Sequence, residues 1–210
     1  LACPNERVRV GLISPAEAIW LTVITACIGL AASFIIGRAA FVVCIVFWVI
    51  SVLYNWKFKE AGLLGNLMVS SSVGITFILG GITAGEAWNE MVWCFVLMAF
   101  FIDLGEEIAG DAMDMDGDRI RGSRSIAIVM GRKFALALSA TSFVAVIVIS
   151  FLPVLFVWMG SSYLVLILMT DILIIVFTVQ LLKSATSGAG RKAMRGIYLG
   201  ALLGVFAAIL

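Results

Sequence analysis

The stretch that decides the reading of this chain is "DLGEEIAGDAMDMDGDRIRG", residues 103–122. The chain has thirteen acidic side chains, and seven of them fall in these twenty residues. They follow directly on an apolar run, "MVWCFVLMAFFI" (91–102). At 100° per residue, Asp103, Glu107, Asp111, Asp114 and Asp118 fall within one stripe about 80° wide if a single helix continues that far. Glu106 and Asp116 fall outside it. Like charges spaced i, i+4 repel, and the repulsion grows where the helix is still in hydrocarbon, so an aligned acidic stripe calls for a cation. A solvated helix end accounts for Asp116 or Asp118, but not for a stripe that reaches back to Asp103.

The rest of the chain explains why hydrocarbon is the reference. It is 63% hydrophobic and 13% charged, against about 25% charged in ordinary soluble domains. Seven segments approach the roughly 20 apolar residues that cross a bilayer core: 16–36, 39–54, 61–81, 87–110, 134–157, 161–182 and 194–210. The expected fold class is therefore all-α, a polytopic transmembrane helical bundle, with residues 1–210 forming one unit. If the spans alternate across the membrane, thirteen of the fourteen Lys and Arg residues share one side, and only Arg38 lies on the other. The bias of basic residues toward cytoplasmic loops predicts a multi-pass protein integral to the cell membrane, with 55–60, 111–133 and 183–195 on the cytoplasmic side.

Composition excludes some chemistry. There is no histidine, so neither histidine catalysis nor histidine metal ligation is available. Cys3, Cys27, Cys44 and Cys94 have no metal-ligand spacing and read as free thiols. Net charge is +1, and no nucleic-acid partner is expected. Carboxylate oxygens are hard ligands suited to Mg²⁺, which binds a few carboxylates together with substrate phosphates. Arg119, Arg121 and Arg124 stand next to the acids, where they can bind phosphate oxygens. The alternative is a carboxylate-lined cation transporter or channel. That reading requires acids near the midplane on several spans, and only Asp171 is central.

Three segments carry a resemblance. Asp114-x-x-x-Asp118 followed by "RGSRSIAIVMG" (121–131) resembles the second aspartate-rich motif of the UbiA superfamily of intramembrane prenyltransferases. "YNWKFKEAGLLGN" (54–66) resembles the family's Tyr/Lys loop, and "NERVRVGLISPAEA" (5–18) resembles the loop after its first aspartate-rich motif. The likeness is nearest to the archaeal branch, which includes geranylgeranylglyceryl-phosphate prenyltransferases, and it extends to the 4-hydroxybenzoate enzymes. It implies a nine-helix fold of which this chain holds seven, so that the first two helices and the first acidic motif are expected upstream of Leu1.

The implied reaction is Mg²⁺-dependent transfer of an isoprenoid chain from a prenyl diphosphate, such as geranylgeranyl diphosphate, to a lipophilic acceptor within membrane lipid. The acceptor is either a glycerol-phosphate lipid or an aromatic quinone precursor. The resemblance makes Asp114, Asp118, Asp111 and Glu107 the metal ligands. It makes Asp111, Asp114, Asp118 and Lys57 catalytic, and Lys59, Arg121, Arg124, Tyr54 and Asn66 substrate contacts. Other roles stay open for several of these. Lys57, Lys59 and Tyr54 also fit as interfacial anchors, as do Arg191 and Lys192. Asn66 also fits as a bond to a neighbouring helix. Asp171, a costly mid-span carboxylate, reads as functional by default, or else as satisfied, protonated, within the bundle by Thr170 and Thr178. The small residues of "VSSSVG" (69–74) mark a close helix contact.

Overall fold

The computed structural model describes residues 13–207. They are almost entirely helical, and no strand occurs among the described residues. Seven long helices follow the order expected from hydropathy: α1 (Pro15–Ile36), α2 (Arg38–Leu53), α3 (Leu63–Thr83), α4 (Glu90–Met113), α7 (Arg132–Ser150), α9 (Ser161–Leu182) and α10 (Ser187–Ala207). Short helices α5 (Met115–Arg121), α6 (Ile126–Met130) and α8 (Leu152–Leu155) lie between them, and a π-helical turn at Tyr54–Phe58 extends α2. Five of the long helices are long and apolar enough throughout to cross a membrane. The other two, α4 and α10, carry charged residues in the turns nearest the acidic segment. The chain is a multi-pass membrane protein.

Contacts divide the chain into two units, residues 1–49 and 50–210. In the first, α1 opens on a capping box: Ser14 Oγ accepts from the Glu17 N–H at 3.2 Å, and Glu17 returns a bond to the Ser14 N–H at 2.6 Å. Trp20, Ile24, Ile28 and Ile35 are exposed, as lipid-facing side chains are. The resemblance noted for 5–18 falls largely outside the described residues.

The second unit is built around α4, which packs against α3 on one side and α7 on another, while α9 pairs with α10. The α4–α7 contact is tight because position 105 is glycine. A Cβ there would lie 2.7 Å from the Phe143 ring, and Ser139 Oγ donates to the Gly105 carbonyl. Small residues allow such close approach where helices must associate without a hydrophobic driving force.

The segment 111–133, expected as a loop, contains the end of α4 and two short helices. The helix does not run through the acidic stretch. It stops at Met113, Asp114 takes φ −113° and ψ 16°, and α5 begins at Met115. The five-residue stripe is therefore real for Asp103, Glu107 and Asp111 on α4, whereas Asp114 and Asp118 belong to a separately oriented turn. A break at this point relieves i, i+4 repulsion along the run. It also lets Asp114 meet Arg191 of α10, while Asp118 pairs with Arg121 within α5.

Three connecting segments converge at one end of this unit. The Arg124 N–H donates to the Glu60 carbonyl at 3.1 Å. Arg191 reaches Asp114, and Arg132 donates to the Ser184 carbonyl at 2.7 Å and to its Oγ at 3.0 Å. Segments 55–60, 111–133 and 183–191 thus share a side, as the distribution of basic residues predicted. Replacing Gly105 by Val should open the α4–α7 contact and lower stability by about 1–3 kcal/mol, seen as a lower unfolding temperature in detergent with helix content unchanged before the transition.

Candidate active site

The site grows from the antiparallel pair α3–α4. Asn66 and Ser70 are one turn apart on α3, and Asp111 and Asp103 are two turns apart on α4. Asn66 Nδ2 donates to Asp111 Oδ2 at 2.9 Å, and Ser70 Oγ donates to Asp103 Oδ2 at 2.9 Å. Asn66 and Ser70 are buried, and their bonds fix the rotamers of two half-buried carboxylates. One turn further, Gly74 lies against the Val96 carbonyl, where a Cβ would come within 3.3 Å. Position 66 thus has the helix-bonding role that its place in a span suggested, and the helix it bonds carries the acidic stripe. Ser70 was missed as a site residue. Its signal was the i, i+4, i+8 spacing of Asn66, Ser70 and Gly74 along one face of α3.

The acids beyond the break are each met by an arginine. Arg121 donates to Asp118 Oδ1 at 2.5 Å and lies 3.8 Å from Glu60 Oε1. Asp118 is 3% exposed, and its second oxygen, Oδ2, is buried with no partner. Arg191, from α10, donates to Asp114 Oδ1 at 3.1 Å. Both side chains of that pair are about half exposed, so the pair adds little stability; its effect is to hold Asp114 toward α10. Arg191 is therefore part of the cluster rather than a simple lipid anchor. Partial burial opposes the charge on Arg121, but the Asp118 hydrogen bond and the charges of Asp118, Glu60 and Asp114 outweigh it, and its proton is held more firmly than usual.

The turn that carries Tyr54, Lys57 and Lys59 is brought to this cluster by Gly62. Its φ is +64°, and a Cβ at that position would overlap the Arg124 carbonyl. The π-turn is closed by the Lys59 N–H donating to the Tyr54 carbonyl at 2.8 Å. Such turns are rare and often sit at functional sites. Lys57 and Lys59 are exposed, and among the described residues neither is in an ion pair. Tyr54 is half-buried and rests near Gly65. Arg124 is exposed with its backbone tied to Glu60. Glu107 is half-buried between Asp103 and Asp111 on the α4 stripe.

Among the described residues no three carboxylates come close enough together to hold a metal ion by themselves. The donor set nonetheless suits a hard cation. Asp111, Asp114 and Asp118 offer carboxylate oxygens within a short stretch, and the orphaned Asp118 Oδ2 is a buried acceptor whose cost of roughly 1–3 kcal/mol is relieved by a cation.

Behind the acids lies a chamber of about 480 Å³, within the range of lipid- and drug-sized pockets. Asp103 is on its wall, and Phe77, Phe95, Met98, Ile102 and Leu202 make it apolar. Asp171 is also on the wall, but its partner differs from expectation. Ser150 Oγ donates to Asp171 Oδ2 at 2.9 Å, whereas the hydroxyls of Thr170 and Thr178 have no partner. On α9, Thr170 and Asp171 are consecutive and Thr178 is two turns further on. Ser150, from the end of α7, crosses into reach instead.

The UbiA prenyltransferase family model matches residues 4–206. The chain belongs to the UbiA prenyltransferase family. It is an enzyme, a prenyltransferase, which sets aside the cation transporter. It is 32% identical over 204 residues to digeranylgeranylglyceryl phosphate synthase of Methanopyrus kandleri, covering 97% of this chain and 74% of that protein. It is 28% identical to the synthase of the same name from Thermococcus kodakarensis, covering 97% and 72%. A solved structure concerning digeranylgeranylglyceryl phosphate synthase in membranes matches with a TM-score of 0.79 at 27% identity, over 97% of this chain and 72% of that one. The apo structure of a UbiA homolog from Aeropyrum pernix K1 matches with a TM-score of 0.82 at 20% identity, over 96% and 74%, a likeness of fold.

In this UbiA-family chain, Gly62→Ala should strain the backbone and push the Lys57–Glu60 turn away from Arg121 and Arg124. Prenyl transfer should fall at least tenfold while circular dichroism shows the same helix content. Unchanged transfer would separate that turn from the site.

Proposed function

We propose that this prenyltransferase moves a geranylgeranyl chain from geranylgeranyl diphosphate to a glycerol-phosphate lipid, with Mg²⁺ as cofactor. The observation that carries the reading is the union of two environments in one unit. A cluster of carboxylates and arginines, with a buried unpartnered oxygen on Asp118, lies at one end of the bundle, and an apolar chamber opens behind Asp103 on the same helix. An isoprenyl diphosphate has the same two parts. The names of the archaeal relatives favour a glycerol-phosphate lipid over an aromatic acceptor.

In this reading Asp118, Asp114 and Asp111 would each contribute carboxylate oxygens to Mg²⁺ alongside substrate phosphate, with Glu107 next on the stripe. A divalent ion bound there would supply charge neutralisation for the departing diphosphate. Arg121 and Arg124 would bind its oxygens directly. Lys57 and Lys59 approach from the π-turn, where their ammonium groups are free to meet phosphate. Tyr54 orients the substrate at the mouth. Asn66 holds Asp111 in place, which makes it a positioning residue rather than a substrate contact. The apolar chamber houses the tail and keeps water from the allylic carbon. The acidic end is the cytoplasmic side, in keeping with its arginines and lysines.

Asp118→Ala and Asp114→Ala should each lower Mg²⁺-dependent transfer from radiolabelled geranylgeranyl diphosphate by 10²-fold or more, with membrane insertion unchanged. EDTA should abolish wild-type transfer, and added Mg²⁺ should restore it. Near-normal turnover in both variants would remove these aspartates from the site. Single cysteines introduced at Lys59 and Ser123 should react with an impermeant thiol reagent only from the cytoplasmic side, and one at Trp88 only from the other.

A further inference from the structure

Asp171 is the one ionisable side chain in the middle of α9, and an intramembrane carboxyl group generally has a function. It is 3% exposed. Its Oδ2 accepts the Ser150 hydroxyl, and the Tyr163 hydroxyl donates to the Ser150 carbonyl at 2.9 Å. These bonds explain one oxygen only. Oδ1 is buried without a partner, as is the hydroxyl of neighbouring Thr170. Both residues line the apolar chamber, as does Ser150.

The position of this polar group along the chamber follows from its partners. Ser150 is the last residue of α7, at the end away from Arg132, and Tyr163 is in the first turn of α9. The Asp171 carboxyl is thus drawn toward the end of the bundle opposite the acidic cluster. Asp103 marks the near end of the chamber. Along α4 the wall runs from Asp103 to Phe95, eight residues or about 12 Å.

We propose that Asp171, with Thr170, is a specificity-determining stop that sets how long an isoprenoid tail the chamber accepts. The inference rests on the chamber housing the tail, as in the proposed function. A hydrocarbon chain has no O–H or N–H to offer. A tail that ends short of Asp171 leaves the polar pair free to keep a water molecule. A longer tail expels that water and leaves two buried oxygens unsatisfied, which is costly. A purely structural role for Asp171 needs the Ser150 bond but gives no reason for a second, unpartnered oxygen on a residue of the chamber wall.

The test measures equilibrium binding and kcat/KM for geranyl, farnesyl, geranylgeranyl and geranylfarnesyl diphosphates, using the membrane-inserted protein. Asp171→Leu replaces the carboxyl with an apolar group of similar size, and Asp171→Asn keeps a polar one. Asp171→Leu is expected to shift the preference toward the longer chains by about tenfold, equivalent to about 1.4 kcal/mol, while Asp171→Asn keeps the wild-type order. Thr170→Val, which spares the Ser150 bond, should shift the preference in the same direction by a smaller factor, and it decides the matter if Asp171→Leu does not fold. Wild-type chain-length ratios in both Asp171→Leu and Thr170→Val, or an equal loss for all chain lengths in both, would overturn the proposal. If the wild-type protein binds none of the four diphosphates, the reading of the chamber itself fails, and this inference with it.

Discussion

The arrangement of the second unit depends on the clasp between α3 and α4. Two hydrogen bonds, Asn66 to Asp111 and Ser70 to Asp103, join an amide and a hydroxyl on one helix to two carboxylates on the other. In a bilayer, apolar side chains gain nothing by leaving lipid for protein, so helix pairs are held by close packing and polar contacts. Here the contacts that hold the pair are also those that aim the acids. Removing either partner would leave a buried polar group unmatched, at roughly 1–3 kcal/mol. The acidic stripe is therefore both part of the fold and part of the site.

From that clasp the chemistry spreads to both sides. Toward the connecting segments, α4 breaks at Asp114, and the two acids past the break are met by Arg191 and Arg121. The Lys57–Glu60 turn is drawn in by Gly62 and the Arg124–Glu60 backbone bond. Toward the interior, the stripe ends at Asp103, where the wall becomes apolar and the chamber begins. One helix, α4, carries both the acidic stripe and part of the apolar chamber wall, and in the proposed function these would meet the polar head and the hydrocarbon tail. This is the division that a prenyltransferase of the UbiA family needs, because its substrate is divided in the same way.

Asp171 belongs to a second polar group with a different logic. Its bond to Ser150, and the Tyr163 bond to the same serine, join α7 to α9 at the far end from the acidic cluster. The Asp114–Arg191 pair of the cluster is about half exposed, whereas Asp171 is buried on the chamber wall.

Much of this was determined by the sequence alone. The number and order of the long helices followed from hydropathy, because a hydrocarbon core demands about 20 apolar residues wherever a chain crosses it. The common side expected for segments 55–60, 111–133 and 183–195 followed from the distribution of thirteen basic residues. The alignment of Asp103, Glu107 and Asp111 followed from the helical period. Tertiary structure decided what each polar group meets: Ser70 with Asp103, Arg191 with Asp114, and Ser150 rather than a neighbouring threonine with Asp171. It also decided that the stripe breaks at Asp114. These partners are 33, 77 and 21 residues apart in the chain. Periodicity within a helix says which face a side chain occupies, but not which face of which other helix will pack against it.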